Sequence, residues 1–255
     1  MVSGSGFGGA PSDEGFVKLS MRRSYGICIA AVEGPLRRFA GPLTFAALAA
    51  SLLWPASAQT PAAQPAKPLK VVVLGDSLTA GLGLPATAAF PARLQKALKV
   101  KGIETEMVNA GVSGDTTSGG RDRLDWSVPQ GTDAVILELG ANDALRGIEP
   151  KVTRAALTDI LTRLKARGIP VLLCGMVAPP NYGADYAARF NAIYADLAKT
   201  FQVPLYPFFL EGVASDAKLN QPDGLHPTAE GVDAIVRNIQ PTVEAFLAMV
   251  ARQRS

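Results

Sequence analysis

Apolar and polar positions form two alternating kinds of segment from about residue 69 onward. Short runs are almost entirely apolar, and the longer segments between them carry apolar residues at helical spacing, such as Phe90, Leu94 and Leu98. The short runs have no polar face, which is typical of parallel strands that are buried on both sides. The predicted strands cover residues 71–75, 103–109, 134–140, 169–175 and 203–207.

A helix is predicted after each of these strands. The predicted helices cover residues 85–101, a segment that begins at 116–120, and residues 150–167, 185–200 and 227–250. Parallel strands need such crossover helices, which cover both faces of the sheet. We therefore predict the α/β fold class, with one three-layer α/β/α domain over residues 69–255 and no internal repeat.

The first 58 residues have the features of a targeting segment. Arg37 and Arg38 precede an apolar stretch at residues 45–54, which is shorter than the about 20 residues that span a bilayer. The sequence Ala-Ser-Ala at residues 56–58 has the small-x-small form that signal peptidase accepts. We predict a signal peptide that is cleaved after this site, and therefore a periplasmic or secreted protein without stable membrane insertion.

Some details of this segment stay open. A buried amphipathic helix is the alternative to a signal peptide, although the apolar stretch has no polar face. Met21 is an alternative start of the chain, and residues 37–39, Arg-Arg-Phe, loosely resemble a twin-arginine signal. Residues 59–68 are rich in Ala, Pro and Gln, and this composition predicts a flexible lead-in to the folded domain.

Charge and cysteine content exclude several functions. The chain has 25 basic and 22 acidic residues; without the first 58 residues, 20 basic and 19 acidic residues remain. This balance gives no electrostatic reason to expect nucleic acid as a partner. Cys28 would leave with the signal peptide, so Cys174 has no internal disulfide partner and is predicted to be buried and inert. One His and one remaining Cys do not make a typical zinc or iron site, so we predict no metal and no cofactor.

Four polar clusters follow predicted strands or precede the last helix. Ligands of open parallel sheets bind beyond the carboxyl ends of the strands, so these clusters could converge on one crevice. Their sequences are Gly-Asp-Ser-Leu at 75–78, Asn-Ala-Gly-Val-Ser-Gly-Asp-Thr at 109–116, Gly-Ala-Asn-Asp at 140–143 and Asp-Gly-Leu-His-Pro at 223–227.

Ser77, His226 and Asp223 are the predicted catalytic triad. Ser77 lies at a strand-to-helix turn, where a helix N-cap is the alternative role. A nucleophilic serine needs a base, and His226 is the only histidine of the chain. Asp223 precedes it by three residues, close enough to accept a hydrogen bond from the imidazole and fix its tautomer. A surface histidine beside a capping aspartate is the alternative for this pair.

Three donors are predicted to stabilise the oxyanion that acyl transfer creates. They are the backbone N–H of Ser77, a backbone N–H at Gly114 and the side-chain amide of Asn142. Gly114 lets the chain approach a substrate closely because it has no Cβ. The alternative for Asn142 is a turn residue after a strand.

The other acidic residues of these clusters receive structural roles. Asp76, Asp115 and Asp143 are predicted to cap helices and make local hydrogen bonds, since the triad already has its carboxylate. Glu138 is a charged residue inside an apolar strand, and we predict that it pairs with an arginine.

The four clusters, in this order, resemble the sequence blocks of the GDSL, or SGNH, hydrolase superfamily. The resemblance implies Ser77, Asp223 and His226 as the triad, and Ser77, Gly114 and Asn142 as the oxyanion hole. It also implies a flavodoxin-like fold with a five-stranded parallel sheet in the order 2-1-3-4-5. The segments at 113–116, 138–147 and 180–183 are most similar to the bacterial thioesterase I, lysophospholipase and arylesterase group.

This resemblance implies an enzyme that hydrolyses acyl esters and thioesters through an acyl-enzyme intermediate. The expected partner is a small-molecule substrate, and the expected state is a monomer. Two loops at the carboxyl edge of the sheet are expected to contact the acyl group, through Leu145, Ile148, Pro179 and Tyr182. The main alternative is a carbohydrate O-acetylesterase on the same fold; a non-catalytic binding module and a flavin-binding protein are more distant ones.

Overall fold

The described part of the chain forms one parallel sheet of five strands. The structure is a computed structural model that describes residues 67–254. The strand order is β2-β1-β3-β4-β5, and every neighbouring pair is parallel. This order confirms the predicted sheet. The strands are β1 at Leu69–Gly75, β2 at Thr105–Gly111, β3 at Ala134–Glu138, β4 at Val171–Cys174 and β5 at Leu205–Tyr206.

Helices connect the strands and form two packed groups. Helix α2 packs against α8, while α6 packs against α3 and α7. Short 3₁₀-helices lie at Ala86–Ala88 and Pro180–Tyr182. The helices are α1 at Ser77–Ala80, α2 at Phe90–Val100, α3 at Thr117–Asp122, α4 at Leu124–Ser127, α5 at Ala141–Leu145, α6 at Pro150–Ala166, α7 at Gly183–Phe201 and α8 at Ala229–Arg254.

The core lies between the sheet and the helices. All five residues of β3 and all four of β4 are buried, as the almost entirely apolar runs predicted. The helices bury the apolar positions of their periodic pattern, for example Phe90, Leu94 and Leu98 on α2. Cys174 is also buried, as predicted, and burial raises the pKa of its thiol well above the ordinary value.

Most predicted boundaries differ from the structure by a few residues, and two of these differences lie near the site. The predicted helix 85–101 is interrupted at Ala89, which has extended backbone angles, so α2 begins only at Phe90, with Pro91 in its first turn. Strand β2 continues two residues beyond the predicted end, to Gly111, which lies in register with Gly75 of β1. This register places the segment that follows β2 beside the turn that carries Ser77.

The predicted targeting segment 1–58 and most of the predicted lead-in 59–68 lie outside the described residues, as does Cys28. Within residues 67–254, none of the helices combines the length and the hydropathy that a membrane span requires.

Candidate active site

Ser77, His226 and Asp223 lie in one hydrogen-bonded chain. The Nε2 atom of His226 is 2.9 Å from Ser77 Oγ, and its Nδ1 atom is 2.6 Å from Asp223 Oδ2. Ser77 and His226 are 149 residues apart in the sequence and meet only in the folded chain. The structure therefore brings the three predicted triad residues together, with an imidazole between a hydroxyl and a carboxylate as a general base requires.

The turn at the carboxyl edge of β1 fixes the position of Ser77. Asp76 is the N-cap of α1, and its Oδ1 accepts a hydrogen bond of 3.0 Å from the backbone N–H of Leu78. Ser77 is the first residue of the helix, so its own N–H has no acceptor within the helix and remains available to a substrate.

A tight turn holds Asp223 and His226. The Oδ1 atom of Asp223 accepts hydrogen bonds from the backbone N–H groups of His226 at 3.0 Å and Leu225 at 2.9 Å. These bonds, together with the imidazole, lower the pKa of Asp223 to about 2, because all of them favour the carboxylate. Gly224 has a φ of 71°, a left-handed conformation that a glycine adopts without strain. Asp223 is therefore a carboxylate at neutral pH.

Gly114 and Asn142 border the same crevice. Gly114 has a φ of 82° and lies in a turn that the bond from Asp115 N–H to the Val112 carbonyl closes at 3.1 Å. The guanidinium of Arg146 donates a hydrogen bond of 2.8 Å to the Gly114 carbonyl. This bond turns the carbonyl toward Arg146 and ties the Gly114 turn to the loop that follows Asn142.

The amide of Asn142 has two hydrogen-bond partners in the free enzyme. Its Nδ2 atom donates to the carbonyl of Asp115 at 2.9 Å and to Asp76 Oδ2 at 3.2 Å. An amide nitrogen carries two hydrogens, so both are in use. An oxyanion could compete for the longer of these bonds, the one to Asp76. The predicted role of Asp76 as a cap was correct, but its bond to Asn142 was not predicted.

Two buried carboxyl groups lie beneath Ser77. Burial raises the pKa of Asp76 to about 6, and burial and the neighbouring Asp76 raise the pKa of Glu138 well above its ordinary value. The predicted arginine partner of Glu138 was wrong: its Oε2 lies 3.4 Å from the backbone nitrogen of Asp76, and its Oε1 has no hydrogen-bond partner among the described residues. A buried carboxyl group can avoid the cost of charge by staying protonated, so no cation is required.

The close packing of β1 against Glu138 requires a glycine at position 75. A Cβ at this position would lie 2.6 Å from Glu138 Oε2 and 2.7 Å from the backbone oxygen of Glu138. A glycine therefore allows β1 and β3 to approach each other directly beneath the turn that carries Ser77.

Arg123 organises the Gly114 turn, and the sequence analysis did not identify it. Its guanidinium is almost fully buried and donates to Asp115 Oδ2 at 2.5 Å and to the carbonyls of Ala110 and Gly75, both at 2.8 Å. It thus joins the ends of β1 and β2 to the residue that follows Gly114. The predicted capping role of Asp115 was wrong, since Thr116 caps α3 instead.

Asp143 connects three helices. Its carboxylate accepts hydrogen bonds from the backbone N–H of Thr117 at 2.8 Å and from the hydroxyls of Thr117 and Thr153 at 2.6 and 3.0 Å. Asp143 thus holds α3 and α6 against α5. It accepts a hydrogen bond from the first turn of α3, a helix distant in sequence. The predicted capping role was therefore correct, but the prediction that its hydrogen bonds are local was wrong.

Two of the predicted substrate-binding residues are in direct contact. The hydroxyl of Tyr182 donates a hydrogen bond of 2.8 Å to the carbonyl of Leu145, and both side chains are exposed. Ile148 and Pro179 lie half-buried on the same two loops. The ring of Tyr182 also lies over Gly147, where a Cβ would be 2.6 Å from a ring carbon. The two loops therefore form one apolar border.

The hydrogen-bonded chain of Ser77, His226 and Asp223 at the carboxyl edge of the sheet is the arrangement that serine hydrolases use. The model of the GDSL-like Lipase/Acylhydrolase family matches residues 73–234. The chain belongs to this family. Among residues 67–254, no group of three or more His, Cys, Asp or Glu side chains is arranged to hold a metal ion.

Relatives in this family are named as esterases and thioesterases. An arylesterase of Vibrio mimicus is 41% identical over 180 residues, which are 70% of this chain and 86% of the relative. The thioesterase 1/protease 1/lysophospholipase L1 of Escherichia coli K12 is 42% identical over 178 residues, or 68% and 84% of the two chains. The crystal structure of TesA has a TM-score of 0.66 at 38% identity and covers 69% of this chain and 99% of that one. The protein is accordingly a hydrolase of carboxylic esters.

Proposed function

We propose that this protein hydrolyses acyl esters and thioesters in two steps, with Ser77 as the nucleophile. The observation that carries this proposal is the chain of contacts from Asp223 through His226 to Ser77, with distances of 2.6 and 2.9 Å. The geometry supports general-base activation of the serine hydroxyl, since Nε2 faces Oγ while Asp223 holds Nδ1.

In the first step, Ser77 Oγ forms a bond to the acyl carbon while His226 takes its proton. The carbonyl oxygen becomes an oxyanion, to which the N–H groups of Ser77 and Gly114 and the Asn142 amide would donate. His226 then gives its proton to the leaving oxygen or sulfur, and the bond between this atom and the acyl carbon breaks. Water attacks the acyl-enzyme in the second step, again with His226 as the base, and releases the acid and free Ser77.

We propose that the acyl group is medium-length or longer. The support is that the side chains of Leu145 and Tyr182 are exposed, and that the Tyr182 hydroxyl donates a hydrogen bond of 2.8 Å to the Leu145 carbonyl. Exposed apolar side chains on these two loops favour an open groove over a closed acetate-sized pocket. Each methylene buried there contributes up to ~0.8 kcal/mol, so a few of them favour a longer chain over acetate by one to two orders of magnitude in kcat/KM.

A series of p-nitrophenyl esters from acetate to laurate tests this preference. We expect kcat/KM to rise with acyl length, and Leu145→Ala or Ile148→Ala to weaken the longest substrates most. Val100→Ala, which changes an exposed apolar residue at the end of α2, is the matched control. If acetate is cleaved fastest and longer chains only slow turnover, the small-acyl esterase alternative replaces this proposal.

We also propose that the protein works in the periplasm or outside the cell after loss of residues 1–58. The support is the short apolar stretch followed by Ala-Ser-Ala at residues 56–58. The intact mass of exported protein should correspond to a chain that begins at or near Gln59. A product that retains residues 45–54 would point to a membrane anchor.

A further inference from the structure

The geometry of the proposed reaction determines where the leaving group lies. The oxyanion points toward Asn142 and the Gly114 turn, while the leaving oxygen must receive its proton from His226 Nε2, the atom 2.9 Å from Ser77 Oγ. The alcohol or thiol portion of the substrate therefore lies on the His226 side of the nucleophile, away from the oxyanion donors.

Two exposed leucines lie on the segments that carry Ser77 and His226. Leu225 directly precedes the histidine and is 47% exposed, and Leu82, in the turn after α1, is 44% exposed. The N–H of Leu82 donates a hydrogen bond of 3.2 Å to the carbonyl of Ser77, so the turn is attached to the nucleophile itself. Neither side chain packs into the core, yet both lie on segments fixed next to reacting groups.

Gln221 fixes the Leu82 turn against the histidine loop. Its side-chain amide donates to the carbonyls of Leu82 at 2.8 Å and Pro227 at 3.0 Å, and its backbone N–H donates to the carbonyl of His226 at 2.7 Å. The side-chain Oε1 of Gln221 occupies the space where a Cβ at Gly83 would lie, 2.4 Å away. Both amide hydrogens are thus committed, and this side offers leucine methyl groups to a ligand instead of free donors.

The charged side chain next to His226 in this turn is that of Asp223, which is partly exposed and negative at neutral pH. A negative charge disfavours an anionic leaving group at short distance. The chemistry next to the general acid therefore suits an uncharged, apolar group, such as an aromatic ring.

We propose that Leu82 and Leu225 form a subsite for the alcohol or thiol portion of the substrate, selective for uncharged apolar groups such as benzyl or aryl. This inference rests on the proposed function, because the position of the leaving group follows from the role of His226.

Two esters with the same acyl group test the subsite: benzyl hexanoate and 2-methoxyethyl hexanoate, whose alcohols are similar in basicity. We expect the wild-type enzyme to favour the benzyl ester in kcat/KM, and Leu82→Ser or Leu225→Ser to reduce this preference by roughly three- to tenfold. Val152→Ser, which changes a valine of α6 that is 42% exposed, is the matched control and should leave the preference unchanged.

A second readout separates the subsite from a general disturbance of the triad. Both esters give the same hexanoyl-enzyme, so its hydrolysis rate, measured in pre-steady-state experiments, should be equal in wild-type enzyme and in the leucine variants. An unchanged benzyl preference in both variants would overturn the subsite. An equal loss for both esters would do the same, because it would assign the leucines to holding the triad. If folded wild-type enzyme cleaves neither ester, the proposed function itself fails.

Discussion

The exposed turn of Asp223 and His226 differs from the buried carboxyl groups of Asp76 and Glu138 in how each controls its charge. Asp223 is partly open to solvent and is kept ionised by two backbone N–H groups and an imidazole. Asp76 and Glu138 are fully buried, and their ionisation is disfavoured by the loss of water. The surroundings thus lower the pKa of one acidic side chain of the site and raise the pKa values of the other two.

This difference separates residues that take part in the reaction from residues that stabilise the fold around them. The exposed turn contributes little packing, so its removal should affect the reaction much more than the fold. The buried carboxyl groups contribute to the position of Ser77 and Asn142, so their effects should appear in stability and its pH dependence. The predictions below test this separation.

The largest effect is expected for His226→Ala. Without the base, Ser77 cannot transfer its proton, and kcat/KM should fall by roughly 10⁴-fold or more. The imidazole makes hydrogen bonds with Asp223 and Ser77 and is not part of the apolar core. The urea concentration at the midpoint of unfolding should therefore change little. Steady-state kinetics and urea titration of the same preparation check both parts. A folded variant with near-normal turnover would refute the base role.

A smaller loss is expected for Asn142→Ala. Removal of one oxyanion donor should lower kcat by roughly 10²–10³ with little change in KM, because the oxyanion exists only during the reaction. Asn142 also holds Asp115 and Asp76, so Asn142→Asp is a useful second variant, since it keeps the shape but replaces the donor with an acceptor. Kinetics on one p-nitrophenyl ester are sufficient. A loss below about fivefold in both variants would assign Asn142 to the turn alone.

The smallest expected effect concerns Asp76→Asn and pH. Because burial raises the pKa of Asp76 from 3.8 to about 6, the folded protein favours its protonated form. The resulting stability is fully present below pH 3.8 and is lost as the pH rises through 6. Relative to Asp76→Asn, which cannot ionise, the wild-type free energy of unfolding should therefore fall by roughly 2 to 3 kcal/mol between pH 3.8 and 7.

Urea unfolding of both proteins across this pH range measures the difference. Asp185→Asn, at an exposed position of α7, is the control and should show no such trend. A constant difference between wild type and Asp76→Asn at every pH would mean that burial does not raise the pKa of Asp76.

Short-range sequence patterns predicted the sheet and the contacts among Ser77, His226 and Asp223. Almost entirely apolar runs predicted the parallel strands, because burial on both faces leaves few polar positions: Glu138 is the polar residue of β3, and β4 has none. The spacing of Asp223 and His226 is local, so the turn that joins them could be inferred directly. The contact between His226 and Ser77 was also predictable, because each follows a strand or precedes a helix at the same edge of the sheet.

The supporting network could not be predicted in the same way. Arg123 contacts Gly75 across 48 residues, and Asn142 contacts Asp76 across 66, so no local pattern marks either pair. The error at Glu138 has a different cause: a charged residue in an apolar strand can be paired or protonated, and the sequence does not distinguish these states. The end of β2 at Gly111 depends on its register with β1, which is also set by long-range pairing.

The most direct test of the central claim is to trap the acyl-enzyme. The protein is mixed with a p-nitrophenyl ester, quenched with acid within the first turnover, digested and analysed by peptide mass spectrometry, with Ser77→Ala as the control. The account predicts one acyl adduct, on Ser77, that disappears in the folded Ser77→Ala protein together with turnover. An adduct on another residue, or continued hydrolysis by the Ser77→Ala protein, would contradict it.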